Sequence, residues 1–154
     1  MTLPAVGAPA PSFELPADTG EIIRLADLRG RPVVLYFYPK DDTPGCTVEA
    51  CGFRDDYRRY QEAGVVLLGV SPDSVESHRA FKAKFGLPFP LLADEDKVVS
   101  KLYGVWGKKK AMGREYMGIR RTTYVIGADG KIARVFDNVR PEGHSQEILE
   151  ALGR

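Results

Sequence analysis

The chain has 154 residues, of which 44% are hydrophobic and 28% charged, and its formal net charge is +1. This is one domain's worth of sequence with enough apolar material for a core, so residues 1–154 are expected to form a single domain. The balanced charge leaves no global field to recruit nucleic acid or an anionic membrane, and no apolar run approaches the roughly 20 residues a membrane span needs.

The start, Met1-Thr2-Leu3-Pro4-Ala5-Val6-Gly7, has neither a basic n-region nor an apolar h-region, and nothing in it suggests secretion. A cytoplasmic protein is expected. In a reducing cytosol, its two cysteines suit catalysis better than a structural disulfide.

Phe13-Glu14-Leu15 and Ile22-Ile23-Arg24 alternate around Ala17-Asp18-Thr19-Gly20 and predict an N-terminal hairpin; residues 25–28 with Gly30 read as one helical turn. Residues 33–38 form a short β-branched and aromatic run, the mark of a buried strand. Thr43-Pro44-Gly45 follows it. Thr43 is a good N-cap, and Pro44 suits the first helical position because its missing N–H would have no partner there. Phe53, Tyr57 and Tyr60 fall at i, i+4 and i+7 and carry the helix to about Ala63, where Gly64 stops it.

Residues 65–70 are a second apolar strand, closing a strand–helix–strand unit that requires a parallel pairing. A helix starts at Ser71-Pro72-Asp73-Ser74 and ends at Gly86; residues 89–92 are a short strand and residues 97–103 a short helix. Residues 104–118, with four glycines and a lysine run, read as a long functional or mobile loop. Two further strands flank Gly127-Ala128-Asp129-Gly130 as a hairpin, and residues 144–152 close the chain as a helix. This order predicts an α/β fold, a thioredoxin-like three-layer sandwich with a central mixed β-sheet and the N-terminal hairpin. The Cys-x-x-Cys of redox thioredoxins is absent.

The strand–turn–helix places Cys46 in the first turn of a helix, where unpaired N–H groups and the positive dipole end favour an anionic sulfur. The bland alternative is a small core hydrophobe, since cysteine is among the most buried residue types. Cys51 lies five residues on. At that spacing the two Cα atoms of an intact helix stand roughly 8–9 Å apart, whereas a disulfide needs about 7 Å or less. Joining them requires the helix to unwind locally. Zinc is the competing use of two thiols, but only His78 and His144 remain as soft ligands, with no metal-ligand spacing, so no metal is expected.

Tyr36-Phe37-Tyr38-Pro39-Lys40, Thr43-Pro44-Gly45-Cys46-Thr47 and Cys51-x-Phe53-Arg54-Asp55 resemble the atypical two-cysteine peroxiredoxins of the bacterioferritin comigratory protein type. Gly104-Val105-Trp106-Gly107-Lys108, Met112-Gly113, Tyr116 and Gly118-Ile119-x-Arg121 look like the same subfamily. The resemblance implies a thiol peroxidase that needs no cofactor. Cys46 would be the peroxidatic cysteine and Cys51 the resolving one. Thr43 and Arg121 would complete the peroxide pocket, with Pro44 shielding it. The implied partners are a peroxide substrate and a thioredoxin or glutaredoxin-type reductant. Two cysteines within one helix also permit a monomer.

Against this stand two alternatives, a thioredoxin-like protein disulfide exchanger and a binding or chaperone-like domain that merely holds two thiols. Among the other side chains, Arg120 should alternate to the far face of its strand and be solvated. Glu49 reads as a surface carboxylate, Lys108-Lys109-Lys110 as a solvated loop tip, and Trp106 and Tyr116 as caps on the core. His78 and His144 are not expected to pair with a catalytic cysteine.

Overall fold

The computed structural model describes residues 3–153, so Met1 and Thr2 of the start read above lie outside the described residues. Two short strands, β1 (Glu14–Pro16) and β2 (Ile22–Arg24), form the expected N-terminal hairpin, with Leu15 opposite Ile23. A 3₁₀ turn (Leu25–Leu28) leads to β3 (Val33–Phe37), then α1 (Pro44–Asp55), α2 (Tyr57–Glu62) and β4 (Val66–Ser71). Next come α3 (Val75–Phe85), β5 (Leu91–Ala93) and α4 (Val98–Leu102). The chain ends with β6 (Trp106–Ala111), β7 (Arg114–Ile119), β8 (Thr122–Ile126), β9 (Ile132–Phe136) and α5 (His144–Ala151).

The central sheet has the order β5–β4–β3–β8–β9. β3, β4 and β5 run parallel, while β8 and β9 are antiparallel additions on the other side of β3. β3 is therefore the middle strand, and all five of its residues are buried. Strand alternation sorts them onto two faces. Val33, Leu35 and Phe37 join Leu15, Val99 and Tyr103 on the face covered by the hairpin and α4. Val34 and Tyr36, with Tyr38 just beyond, join Phe53, Tyr60, Phe81 and Ile148 on the face covered by the other helices. The result is the mixed-sheet, three-layer sandwich expected.

Three local expectations need correction. Residues 104–118 are not a long loop: β6 and β7 pair along their length from Trp106 opposite Ile119 to Ala111 opposite Arg114. Met112 and Gly113 turn the chain with φ of 52° and 78°, as a two-residue hairpin turn requires. The hairpin was hidden because most of its residues are exposed, so no alternating apolar pattern marks it. The helix expected over residues 44–63 is two helices, broken at Asp56 (φ −97°, ψ 3°). Tyr116 does not cap the core. Its ring is about half exposed beneath Lys109, whereas half-buried Trp106 does pack on the core, beneath Lys97.

Candidate active site

β3 delivers the chain to the helical face, and six residues separate its end from the start of α1. Pro44, Gly45 and Cys46 are the first three helical residues. Thr47 is the first whose N–H has a partner, the Thr43 carbonyl at 2.8 Å. Among the described residues the Gly45 and Cys46 N–H groups have no backbone acceptor, which leaves two donors and the positive helix end beside the Cys46 sulfur. Helical spacing turns Cys46, Glu49, Ala50 and Phe53 inward, and all four are buried. Phe53 stacks on Tyr36 of β3 (ring centroids 4.6 Å) and so clamps α1 to the sheet. Cys51 sits half-buried on the flank of the helix, and both thiols are free. An intact α1 keeps the two cysteines apart, as their spacing predicts.

Arg121 enters from the start of β8. Its Nη2 donates to Cys46 Sγ at 3.3 Å and its Nη1 to Glu49 Oε1 at 2.6 Å. Burial opposes the charge on Arg121, but Glu49 and the Cys46 sulfur outweigh it and hold the guanidinium pKa above its ordinary value. Glu49 corrects the reading of a surface carboxylate: it is 1% exposed. Burial pushes its carboxyl up to about 7, although Arg121 pulls in the other direction by its charge and hydrogen bond. Among the described residues Oε2 has no hydrogen-bond partner. Glu49 could have been found in the sequence, because it shares a helix face with Cys46, Ala50 and Phe53. Gly45 is closely packed: a Cβ there would lie 3.2 Å from Arg121 Nη2 and 3.4 Å from Pro141.

Thr43 occupies the N-cap position with extended backbone, but its side chain does not cap the helix. The hydroxyl donates backward to the Lys40 carbonyl (2.9 Å). With its hydrogen committed there, Thr43 Oγ1 meets any other polar group as an acceptor. Arg120 points away as expected and pairs with Asp137 at 2.8 Å on the surface. Lys109 departs from the solvated loop tip: it is half-buried, donates to the Ile119 carbonyl (2.9 Å), and burial lowers its pKa.

Neither histidine serves Cys46. His144 is held by Thr123 Oγ1 (2.7 Å) and Glu147 (2.9 Å), and His78 by Asp41 (2.7 Å) and the Leu92 carbonyl (2.9 Å). Asp41, Asp73 and His78 bring one potential ligand atom each within 4.8 Å of one another. Both ring nitrogens of His78 and the facing carboxylate oxygens already carry internal hydrogen bonds, so the trio presents no donor set aimed at a common ion. A groove of about 630 Å³ lined by Phe13, Leu15, Val99 and Leu102 lies across the sheet from Cys46. The sulfur itself is buried, with Arg121 Nη2 3.3 Å away.

The AhpC/TSA family profile matches residues 6–135. The chain is 52% identical over 147 residues to a putative peroxiredoxin Bcp of Coxiella burnetii, covering 96% of this chain and 97% of that one. It is 48% identical over 143 residues to peroxiredoxin Bcp of Escherichia coli, covering 93% and 92%. Among solved structures, a cysteine-to-serine mutant of Xylella fastidiosa PrxQ superimposes with a TM-score of 0.93 at 32% identity, covering 99% and 98% of the two chains. A Xanthomonas campestris bacterioferritin comigratory protein, described for its alkyl peroxide reduction activity, superimposes with a TM-score of 0.90 at 34% identity, covering 97% and 98%.

Proposed function

This chain belongs to the AhpC/TSA family and is a thiol peroxidase that reduces peroxides, and on that premise we propose that Cys46 is its peroxidatic cysteine and Cys51 its resolving cysteine. The observation that carries the assignment is the Arg121 guanidinium donating to Cys46 Sγ at 3.3 Å, above the unpaired N–H groups of a helix start. The Cys46 thiolate attacks one oxygen of the peroxide in line with the O–O bond. An S–O bond forms, the O–O bond breaks, and the second oxygen leaves as alkoxide or hydroxide and takes up a proton. Sulfur is oxidised to the sulfenic acid. The negative charge crossing from sulfur to the leaving oxygen stays within reach of Arg121 and the Gly45 and Cys46 N–H groups, so these donors act where charge develops. Thr43 Oγ1 accepts from the peroxide O–H and orients it, while Pro44 shields the sulfur. Glu49 holds Arg121 from behind.

Cys51 then attacks the sulfenic sulfur, an S–S bond replaces the S–OH bond, and water leaves. Because an intact α1 holds the cysteines too far apart, its first two turns open for this step. A thioredoxin-type dithiol reduces the disulfide by exchange and closes the cycle. Thioredoxin itself rather than a glutaredoxin-type donor is the proposed partner, with hydrogen peroxide and organic hydroperoxides as substrates. Residues 1–154 act as one domain, in the cytoplasm and as a monomer, since the resolving thiol is supplied within the chain. Burial of Cys46 to 1% exposure disfavours a protein disulfide exchanger, because a protein disulfide cannot be brought onto that sulfur while α1 is closed. A peroxide is far smaller.

The test is peroxide consumption with a recycling thioredoxin system, followed by mass spectrometry after one equivalent of oxidant. Wild type should give a Cys46–Cys51 bond. Cys46→Ser should be inactive, and Cys51→Ser should react once and then stall. Turnover by Cys46→Ser at the wild-type rate overturns the assignment.

A further inference from the structure

The turn between β3 and α1 is held from outside the helix by a buried polar cluster that the peroxide chemistry leaves unused. Asp41, in that turn, is 7% exposed and His78, on α3, is fully buried. Asp41 Oδ1 accepts from Tyr38 Oη (2.6 Å); Oδ2 accepts from Ser77 Oγ (2.8 Å) and lies 2.7 Å from His78 Nδ1. The Asp41 backbone N–H donates to Asp73 Oδ2 (2.8 Å), which Ser71 Oγ holds in turn (2.6 Å). His78 Nε2 faces the Leu92 carbonyl of β5 at 2.9 Å. A carbonyl only accepts, so Nε2 carries a hydrogen. Nδ1 and the Asp41 carboxyl group can meet at 2.7 Å only with a hydrogen between them, so the contact is a short buried hydrogen bond.

We propose that His78 is a positioning residue for the peroxide step: through Asp41 it sets the turn from residue 40 to residue 43, and thereby the Thr43 hydroxyl against Cys46. This rests on the reading of Cys46 as the peroxidatic cysteine. The turn needs an outside anchor. Asp42 has a φ of 56°, the left-handed region that a residue with a side chain adopts only when its surroundings impose it. Its own tie, to Lys84, is solvent-exposed and weak. Thr43 Oγ1 is bonded to the Lys40 carbonyl at the other end of the same turn, so rotation of the turn re-aims the acceptor lone pairs that meet the peroxide. His78, bridging the Leu92 carbonyl and Asp41, joins the sheet edge to that turn. Displacements of about 1 Å in a reacting geometry can cost on the order of 100-fold in rate.

The experiment compares His78→Gln, Thr43→Val and the double variant in the full chain. The second-order rate of Cys46 oxidation by hydrogen peroxide is measured by competition with a haem peroxidase, and reduction of the preformed disulfide by dithiothreitol is measured separately. His78→Gln should slow oxidation about 10- to 100-fold, as expected for misplacement, and change the reduction rate less than 2-fold. In the Thr43→Val background it should add little, because both changes act on one hydrogen bond. Oxidation by His78→Gln at the wild-type rate, or losses that multiply in the double variant, overturns the proposal. Should His78→Gln fail to fold, Ser77→Ala removes one Asp41 donor and leaves the pair in place. It is then expected to slow oxidation by a smaller factor that again vanishes in the Thr43→Val background, and multiplied losses refute the idea equally. A wild-type protein unreactive toward peroxide would instead defeat the assignment of Cys46.

Discussion

Glu49 lies between Cys46 and Cys51, inside the segment that must open for the two sulfurs to meet. In closed α1, burial raises its carboxyl to about 7, and in the opened, hydrated segment it returns toward its ordinary value of 4.5. The protonated form is therefore favoured in the closed, reduced protein. That stabilisation is complete below 4.5 and is lost as the pH rises through about 7. Oxidation consequently releases one extra proton within this window. At ~1.36 kcal/mol per pH unit the span corresponds to roughly 3 kcal/mol, or on the order of 70 mV for a two-electron couple. Glu49→Gln keeps the shape and remains neutral. The wild-type midpoint potential should therefore fall more steeply with pH than that of Glu49→Gln, by ~30 mV per unit between pH 4.5 and 7, with equal slopes above. Titration against thiol–disulfide buffers at pH 5, 6, 7 and 8, with the disulfide fraction read by mass spectrometry, measures both slopes. Parallel lines from pH 5 to 7 would show that Glu49 stays in its site on oxidation, and the argument for helix opening would fail with it.

Gly45→Ala would place a methyl group 3.2 Å from Arg121 Nη2 and should slow the peroxide step about 10-fold by tilting the guanidinium, while the helix itself tolerates alanine; an unchanged oxidation rate counts against the contact. Burial lowers the pKa of His144, with Glu147 opposing, so the ring is kept neutral in the fold. Stability from this source is present above pH 6.5 and is lost as the pH falls below it, and wild type should lose more between pH 6.5 and 5 than His144→Gln in chemical denaturation; identical acid limbs would refute this. Tyr60 donates to the buried Ser145 carbonyl at 2.9 Å, tying α2 to α5. Tyr60→Phe should cost about 1–3 kcal/mol in urea unfolding, and a change below the error of the fit would mean that water takes over the bond.

Much of the site was legible because its first half is local. A buried strand, Thr43, Pro44 and then Cys46 specify a helix start by backbone sterics and unpaired N–H groups, and β3, α1 and Cys46 follow with no distant partner. The two-helix break at Asp56 and the β6–β7 hairpin were not legible. The first is a one-residue departure from helical dihedrals within a helical pattern, and the second has few buried residues to impose alternation. Glu49 was misread for another reason: a carboxylate is stable inside the protein only beside a cation, and that cation, Arg121, is 72 residues away.

Taken alone, then, the amino-acid order determined where a sulfur would meet the start of a helix, and that the second cysteine five residues on could not reach it while that helix is intact. Tertiary structure decided which polar side chains meet out of water: Arg121 against Cys46 and Glu49, and His78 against Asp41. Backbone preference acts over a few residues and is written in them, whereas burying a polar group depends on what other segments bring to the same place, which only the folded chain assembles.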